Sequence, residues 1–348
     1  MGVEVARFEM ASPEDADDLA RVLRGLNCAS IRRIAVIGKC EGPATINDFS
    51  RALAVRAVTD CMAKANISAD APREILFSTG CEGVITPGGF VLVESSACEG
   101  IAGLALGLAR SEPLTPEQTI ASAHIHAAAH VTAAAIADAG LESVDVGLVL
   151  MKSPVLTHAD AAGGADRRAR VNSTALARGV GALGAALALG EIDADVDEGG
   201  IGDETLHARR AMVFSGTETR RCEAVVLGNR PGSLRPLRYG LVSDLLDIEG
   251  MAAVLAPDSK TPLESAMRMG REGRIRAAFF KAGLASNGRL RGRRTTVYSS
   301  DLDHDKHLRA AASGVLGALL GETRVFISGG AEHQAPPGGC IFAAIIAE

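Results

Sequence analysis

Three times along this chain an apolar run ends in a lysine, a helical stretch carrying an arginine follows, and a second apolar run ends in a serine. The sets are Lys39, Arg51 and Ser78; Lys152, Arg178 and Ser215; and Lys281, Arg309 and Ser328. An apolar return run closes each set, at 90–93, 224–227 and 341–346, and Glu82, Glu218 and Glu332 stand three or four residues beyond the serines. A fixed order of elements with fixed residue types at strand ends marks internal duplication. A single lysine at a strand end is ordinarily a solvated gatekeeper. Three of them, each matched by an arginine and a serine, point to one shared site. The expected fold class is therefore α/β: three similar α/β repeat domains, 1–105, 106–230 and 245–348, around a pseudo-threefold axis with the active site at its centre.

Local signals fill in the units. Ser12-Pro13-Glu14 opens a helical pattern to about Leu26, with Ser as N-cap and Pro at the first helical position. A buried strand at 34–37 leads to Lys39, and Asn47 or Asp48 caps the helix with Arg51. Thr115-Pro116-Glu117 opens an Ala-rich helix to about Ala139, and a strand at 146–151 ends in Lys152. A helix from about Ser173 carries Arg178 to Leu189, and the polar 191–205 reads as a surface insertion. Phe214, Ser215 and Gly216 read as a turn between a strand and its return, where a glycine lets a carbonyl approach backbone N–H groups. In the third unit Thr261-Pro262 opens a helix, 275–280 is a strand ending in Lys281, and Arg309 lies on a helix to Leu320.

Composition excludes several classes. The chain of 348 residues is 47% hydrophobic and 22% charged with a net charge of −6, so a nucleic-acid partner is not expected. No apolar run approaches the ~18 residues that span a bilayer, and the N-terminus has no basic-then-apolar signal. Seven cysteines (28, 40, 61, 81, 98, 222 and 340) are scattered singly, as in reduced cytoplasmic proteins. The expected partner is a small molecule, and the expected assembly a homotetramer or another homo-oligomer. Four tempting motifs are set aside. Gly179-x-Gly181-x-x-Gly184 lies within a helical pattern and reads as close helix packing. His124, His126 and His130 lack a nearby carboxylate, and Asp301, Asp303 and Asp305 lack the frame of a calcium loop. Cys81 has no histidine near it in sequence and reads as packing.

At GKCEGPATINDFSR, STGCEGVITPG, LMKSP, ALARGVGALGAALALGE and VFSGTE the chain resembles the cyanuric acid hydrolase and barbiturase family of cyclic amide hydrolases. The likeness covers nearly the whole chain. It implies one substrate ring held between three α/β domains, with Ser215 as nucleophile and Lys152 as its base. It further implies that Lys39 with Ser78, and Lys281 with Ser328 and Gly329, hold the other ring carbonyls, with Thr79 and Gly216 beside them and Arg51, Arg178 and Arg309 binding substrate. A metal loop is recognisable at Ala331, Gln334, Ala335, Pro336 and Gly339, but Gly283 stands where relatives carry a ligating glutamate. No cofactor is expected for catalysis, and any structural divalent cation would lack that carboxylate.

The implied reaction is ring-opening hydrolysis of a cyclic imide or ureide through an acyl-enzyme, with cyanuric acid ahead of barbituric acid because three equal carbonyl sites suit its symmetry. Serine at pH 7 needs a base, and a lysine near ~10.4 must lose roughly three units to serve. Burial and nearby guanidinium charge both push that way, and Arg178 is expected to tune Lys152. The competing readings are a non-catalytic binder of an acidic heterocycle, which would turn nothing over, and a metal-dependent amidohydrolase, which chelators would silence.

Overall fold

Long apolar runs such as Ile34–Ile37 form strands covered on both faces, which is the pattern of sheets packed between layers rather than of exposed hairpins. The computed structural model describes residues 2–347 apart from 46–47, 66, 69, 97–99, 121, 162–170, 172, 194–195, 286 and 296–302. Asn47, Cys98 and Asp301 lie outside the described residues.

Three sheets share one plan. The first contains β1 (Gly2–Glu9), β2 (Ile31–Cys40), β3 (Arg73–Thr79), β4 (Gly88–Ser95) and β5 (Ile101–Ala102), in the order β3-β2-β4-β1-β5. The second contains β6 (Leu104–Arg110), β7 (Val146–Pro154), β8 (Ala211–Gly216) and β9 (Glu223–Asn229), in the order β8-β7-β9-β6. The third is built of β10 (Leu237–Val242), β11 (Ile275–Ala282), β14 (Phe326–Gly329) and β15 (Cys340–Ile346), in the order β14-β11-β15-β10. The short pair β12 (Arg289–Leu290) and β13 (Arg293–Arg294) stands apart. In each sheet the serine strand runs parallel to the lysine strand, and the lysine strand is antiparallel to the return strand. The expected strand–turn–return is thus not a hairpin: the lysine strand lies between its two arms.

The helices are α1 (Asp17–Arg24), α2 (Ser50–Lys64), α3 (Pro116–Ile120), α4 (Ser122–Ala139), α5 (Thr174–Leu189), α6 (Ile248–Leu255), α7 (Pro262–Arg271) and α8 (His304–Leu320). They cover one face of each sheet, giving three separate outer cores. The other faces of all three sheets meet in one core that includes Leu76, Phe90, Leu150, Phe214, Phe279 and Phe326.

Several expectations need correction. The first helix starts at Asp17, not at Ser12-Pro13, because Asp15 takes the backbone N–H groups of Ala11 and Asp17 into a preceding turn. The expected boundary at 105/106 falls inside β6, and a start at 245 leaves out β10, which pairs with β15 from Cys340 to Ile345. The leading strands carry no lysine or serine, so the repeated residue pattern does not announce them. The N-caps of the second and third units are as expected: Thr115 and Gln118 form a reciprocal capping box, Ser173 accepts from the Leu176 N–H, and Pro262 opens α7.

Candidate active site

Side chains alternate across a strand. Lys39, Lys152 and Lys281 share the parity of Ile37, Leu150 and Phe279, so all three point from the strand ends toward the common core. The chain has six lysines. These three are 0–2% exposed.

Arginines from the helices close over them. Arg51 Nε lies 3.1 Å from Glu218 Oε2. Arg178 binds Glu332 through Nε and Nη2, both at 2.7 Å, and Arg309 binds Glu82 through Nε at 2.6 Å and Nη2 at 2.7 Å. Each arginine therefore clasps the glutamate of another unit, first to second, second to third and third to first, and the ring of ion pairs closes on itself. This overturns one expectation: the guanidinium acting on Lys152 is that of Arg51, while Arg178 acts on Lys281 and Arg309 on Lys39. The helix of each unit delivers its arginine to the neighbouring lysine, not to its own.

The three lysines differ in their partners. Lys39 Nζ donates to the Thr79 carbonyl at 2.8 Å and lies 3.4 Å from Ser78 Oγ. Lys281 Nζ lies 2.7 Å from the Val213 carbonyl, 3.1 Å from that of Gly329 and 3.1 Å from Ser328 Oγ. Lys152 Nζ instead meets the carboxylate of Glu218 together with the carbonyls of Phe77 at 3.0 Å and Ser215 at 3.4 Å. Burial, then the Arg309 charge, brings the Lys39 ammonium down to about 7. Burial and then Arg178 push Lys281 well below the usual lysine range. Lys152 is lowered by burial too, but Glu218 pulls against that shift. Burial would raise Glu82, Glu218 and Glu332, yet their cationic partners outweigh it and hold all three carboxyls below the ordinary value.

The expected pairing of Ser215 with Lys152 is not what the structure builds. Lys39 is in register with Ser78 and Lys281 with Ser328, whereas Lys152 is in register with Phe214. Ser215 is in register with Ser153, and both hydroxyls face the helices: Ser215 Oγ donates to the Thr174 carbonyl at 3.0 Å and Ser153 Oγ to that of Ala177 at 2.8 Å. The signal that finds this is spacing. Ser78 to Glu82 and Ser328 to Glu332 are four residues apart, and four residues before Glu218 stands Phe214. Thr79, expected beside a substrate carbonyl, is buried and accepts from Arg51 Nη1 at 3.1 Å.

The implied metal loop has other work. Gln334, fully buried, accepts the Val213 N–H at 2.7 Å and donates to the Glu332 carbonyl at 3.2 Å, so its amide is a strut between the second and third sheets. The Ala331 and Pro336 carbonyls accept from Gln334 and Gly339 within the loop, and Ala335 donates to Ala208. A Cβ on Gly283 would stand 2.0 Å from the Gly339 carbonyl oxygen, so no side chain fits where the ligating glutamate was looked for. Without that carboxylate the loop offers a cation only neutral carbonyl oxygens, a weaker donor set for a hard divalent ion.

The glycine motif and His124 serve packing, while His126 and His130 are exposed, and Asp303 and Asp305 serve a helix start and Arg178. Gly184 brings α5 so close to α4 that a Cβ would lie 2.4 Å from the Ile125 carbonyl oxygen. His124 is buried between the Thr119 carbonyl and Ser153 Oγ. Asp303 caps α8, and Asp305 reaches Arg178 at 3.4 Å. Cys28, Cys40, Cys61, Cys81, Cys222 and Cys340 are free thiols. Among the described residues no helix is long and apolar enough to cross a membrane.

Buried lysines beside serine hydroxyls, roofed by arginines, are the equipment of an amide-cleaving hydrolase. The chain matches the family described as amidohydrolase ring-opening protein over residues 4–347. It belongs to that family, and it is an amidohydrolase of the ring-opening class. Among relatives, a cyanuric acid amidohydrolase of Ectopseudomonas oleovorans is 34% identical over 99% of both chains. A barbiturase of Nocardioides is 32% identical over 99% of this chain and 98% of its own. The fold is the mixed α/β fold of the cyanuric acid hydrolase from A. caulinodans, with a TM-score of 0.83 and 30% identity, covering 100% of this chain and 99% of that one.

Proposed function

We propose that the protein hydrolyses a cyclic imide or ureide by serine–lysine chemistry through an acyl-enzyme, the ring lying at the centre of three α/β units related by a pseudo-threefold axis. The observation that carries this reading is the approach of buried lysine amines to serine hydroxyls at the ends of β2 and β11. Burial supplies the base that serine lacks at pH 7. The repeated strand order and the closed ring of Arg–Glu pairs support the axis.

An acidic ring suits this pocket because its anion competes with Glu82, Glu218 and Glu332 for the three guanidiniums. Arg51, Arg178 and Arg309 then hold ring oxygens, and Ser78, Ser328 and Gly329 line the ring with Lys39 and Lys281. No step calls for a metal, so full activity is expected after chelation.

One observation changes the substrate order. Three equal carbonyl sites would suit cyanuric acid, yet only two of the three sets place a serine on the lysine side, and the third place is taken by the Phe214 ring. A ring with one apolar edge, such as the CH2 of barbituric acid, fits that asymmetry better. The test is ring opening, followed by ultraviolet absorbance, on a panel of cyclic imides and ureides before and after chelation. Turnover of barbituric acid above cyanuric acid is expected. The reverse order would reject the Phe214 argument alone, and heat protection by a ring without product would make the protein a binder.

A further inference from the structure

Resting on that reading, we propose that the serine–lysine pair doing the chemistry is Ser328 with Lys281, and that Lys152 is a fixed ammonium whose unit has lost its serine to Phe214.

Proton inventory separates the lysines. An ammonium has three N–H donors and no acceptor site; a neutral amine has two donors and one lone pair. Around Lys152 Nζ stand three acceptors, the Glu218 carboxylate and the carbonyls of Phe77 and Ser215. The carboxylate and both carbonyls can only accept, so none of these partners offers the amine a hydroxyl proton to take. The Phe214 ring, its centroid 5.5 Å away, adds a face that favours the cation. Around Lys281 Nζ stand two carbonyls, Val213 and Gly329, and one hydroxyl, Ser328. In the neutral amine two donors serve the carbonyls and the lone pair is then free for the hydroxyl of Ser328, whose Oγ at 3.1 Å is within the reach a general base needs. The charged groups acting on Lys281 are Arg178 and Lys39, which disfavour a third proton, and Glu332 and Asp305, both already bound by Arg178. Lys39 has a weaker claim, with Ser78 Oγ at 3.4 Å. A cavity of about 330 Å³ reaches Gly330, two residues beyond Ser328, beside Glu332 and Asp305.

The step balances within the pair. Ser328 Oγ bonds to the ring carbonyl carbon as its proton passes to Lys281 Nζ, and the carbonyl π pair moves onto oxygen. Collapse breaks the ring C–N bond, and the leaving nitrogen takes the proton back from the Lys281 ammonium. Water then adds to the acyl-enzyme, giving one proton to Lys281 that returns to Ser328 Oγ as the opened acid leaves, and that acid releases its remaining proton to solvent to become the carboxylate.

Two measurements test this. Carbon-13 lysine labelling of the intact protein, with the six lysines assigned by Lys→Arg variants, reads each titration without substrate. Lys281 is expected neutral and Lys152 charged at pH 7, with Glu218→Gln moving the Lys152 midpoint down and leaving that of Lys281 in place. In turnover of barbituric or cyanuric acid, Ser328→Ala is expected to lose roughly a thousandfold or more in kcat, as when a nucleophile is removed, while Ser215→Ala stays within a few fold. Acid-quenched wild type should carry the acyl mass on the peptide containing Ser328. A charged Lys281 beside a neutral Lys152, or loss of turnover in Ser215→Ala and not in Ser328→Ala, overturns the assignment and leaves the hydrolase reading standing. Failure of the wild type to open any ring removes that reading, and any nucleophile with it.

Discussion

Gly330 lies at φ +72° beneath the Arg178 guanidinium, and a Cβ there would stand 2.2 Å from Nη2. Gly80 holds the matching place under Arg309 at φ +93°. Both reasons act together in Gly330→Ala: a left-handed backbone that disfavours a side chain, and a steric push on an arginine that holds Glu332. The variant is expected to raise KM for the ring about tenfold or more, as the loss of one charge-assisted contact of ~1.5 kcal/mol would, with the melting temperature as the folding control. An unchanged KM would remove Arg178 from the substrate pocket. At this scale the sequence was legible in residue types but misleading by one position. Lysines, arginines and glutamates stand where their residue types place them, while Ser215, the apparent counterpart of Ser328 in sequence, lies one position beyond the equivalent strand site. A slip of one residue turns a side chain to the other face of a strand. Parity settles it in the structure: Phe214 shares the inward face of Met212, and Ser215 the outward face of Val213. Which parity faces inward depends on what packs against the sheet, and that is not local information.

At the scale of elements, the contact between α4 and α5 decides how the second sheet is covered. Gly184 and the facing Ala128 permit it, since a Cβ on Gly184 would lie 2.6 Å from the Ala128 methyl as well as against the Ile125 carbonyl. Gly184→Ala would ordinarily help a helix by ~1 kcal/mol. Here overpacking of ~1–3 kcal/mol should outweigh that gain, so a lower urea midpoint with an unchanged slope is expected. A higher midpoint would mean that the helices separate freely. Helix starts were readable from sequence where the signal is local chemistry, as in the caps at Thr115 and Ser173 and the first-turn proline Pro262. The leading strands β1, β6 and β10, which pair with β4, β9 and β15, were less legible, since they carry none of the lysines or serines that mark the repeat.

At the scale of the whole molecule, charge pairs between residues far apart in sequence tie the sheets together, and no local pattern announces them. The members of the Arg–Glu ring are 154 to 227 positions apart. The seam between the first and third sheets has its own knot. Glu322 takes Arg7 at 2.8 Å and Arg324 at 2.7 Å on Oε2, and the backbone N–H groups of Thr323 and Arg324 on Oε1. Burial would raise this carboxyl, but the Arg324 hydrogen bonds, with Arg7, bring it down to about 2 against an ordinary 4.5. A carboxyl lowered on folding binds fewer protons in the folded state than in the unfolded one between those values, so stability falls as pH falls through that window. The contribution of Glu322 is therefore complete above pH 4.5 and is lost toward pH 2. Glu322→Gln keeps the shape and removes the charge. Urea midpoints of wild type and variant should differ most at pH 7, with the variant weaker, and the gap should narrow steadily from pH 4.5 downward. A gap that stays constant from pH 7 to pH 2.5 would show that shape, rather than charge, holds this seam.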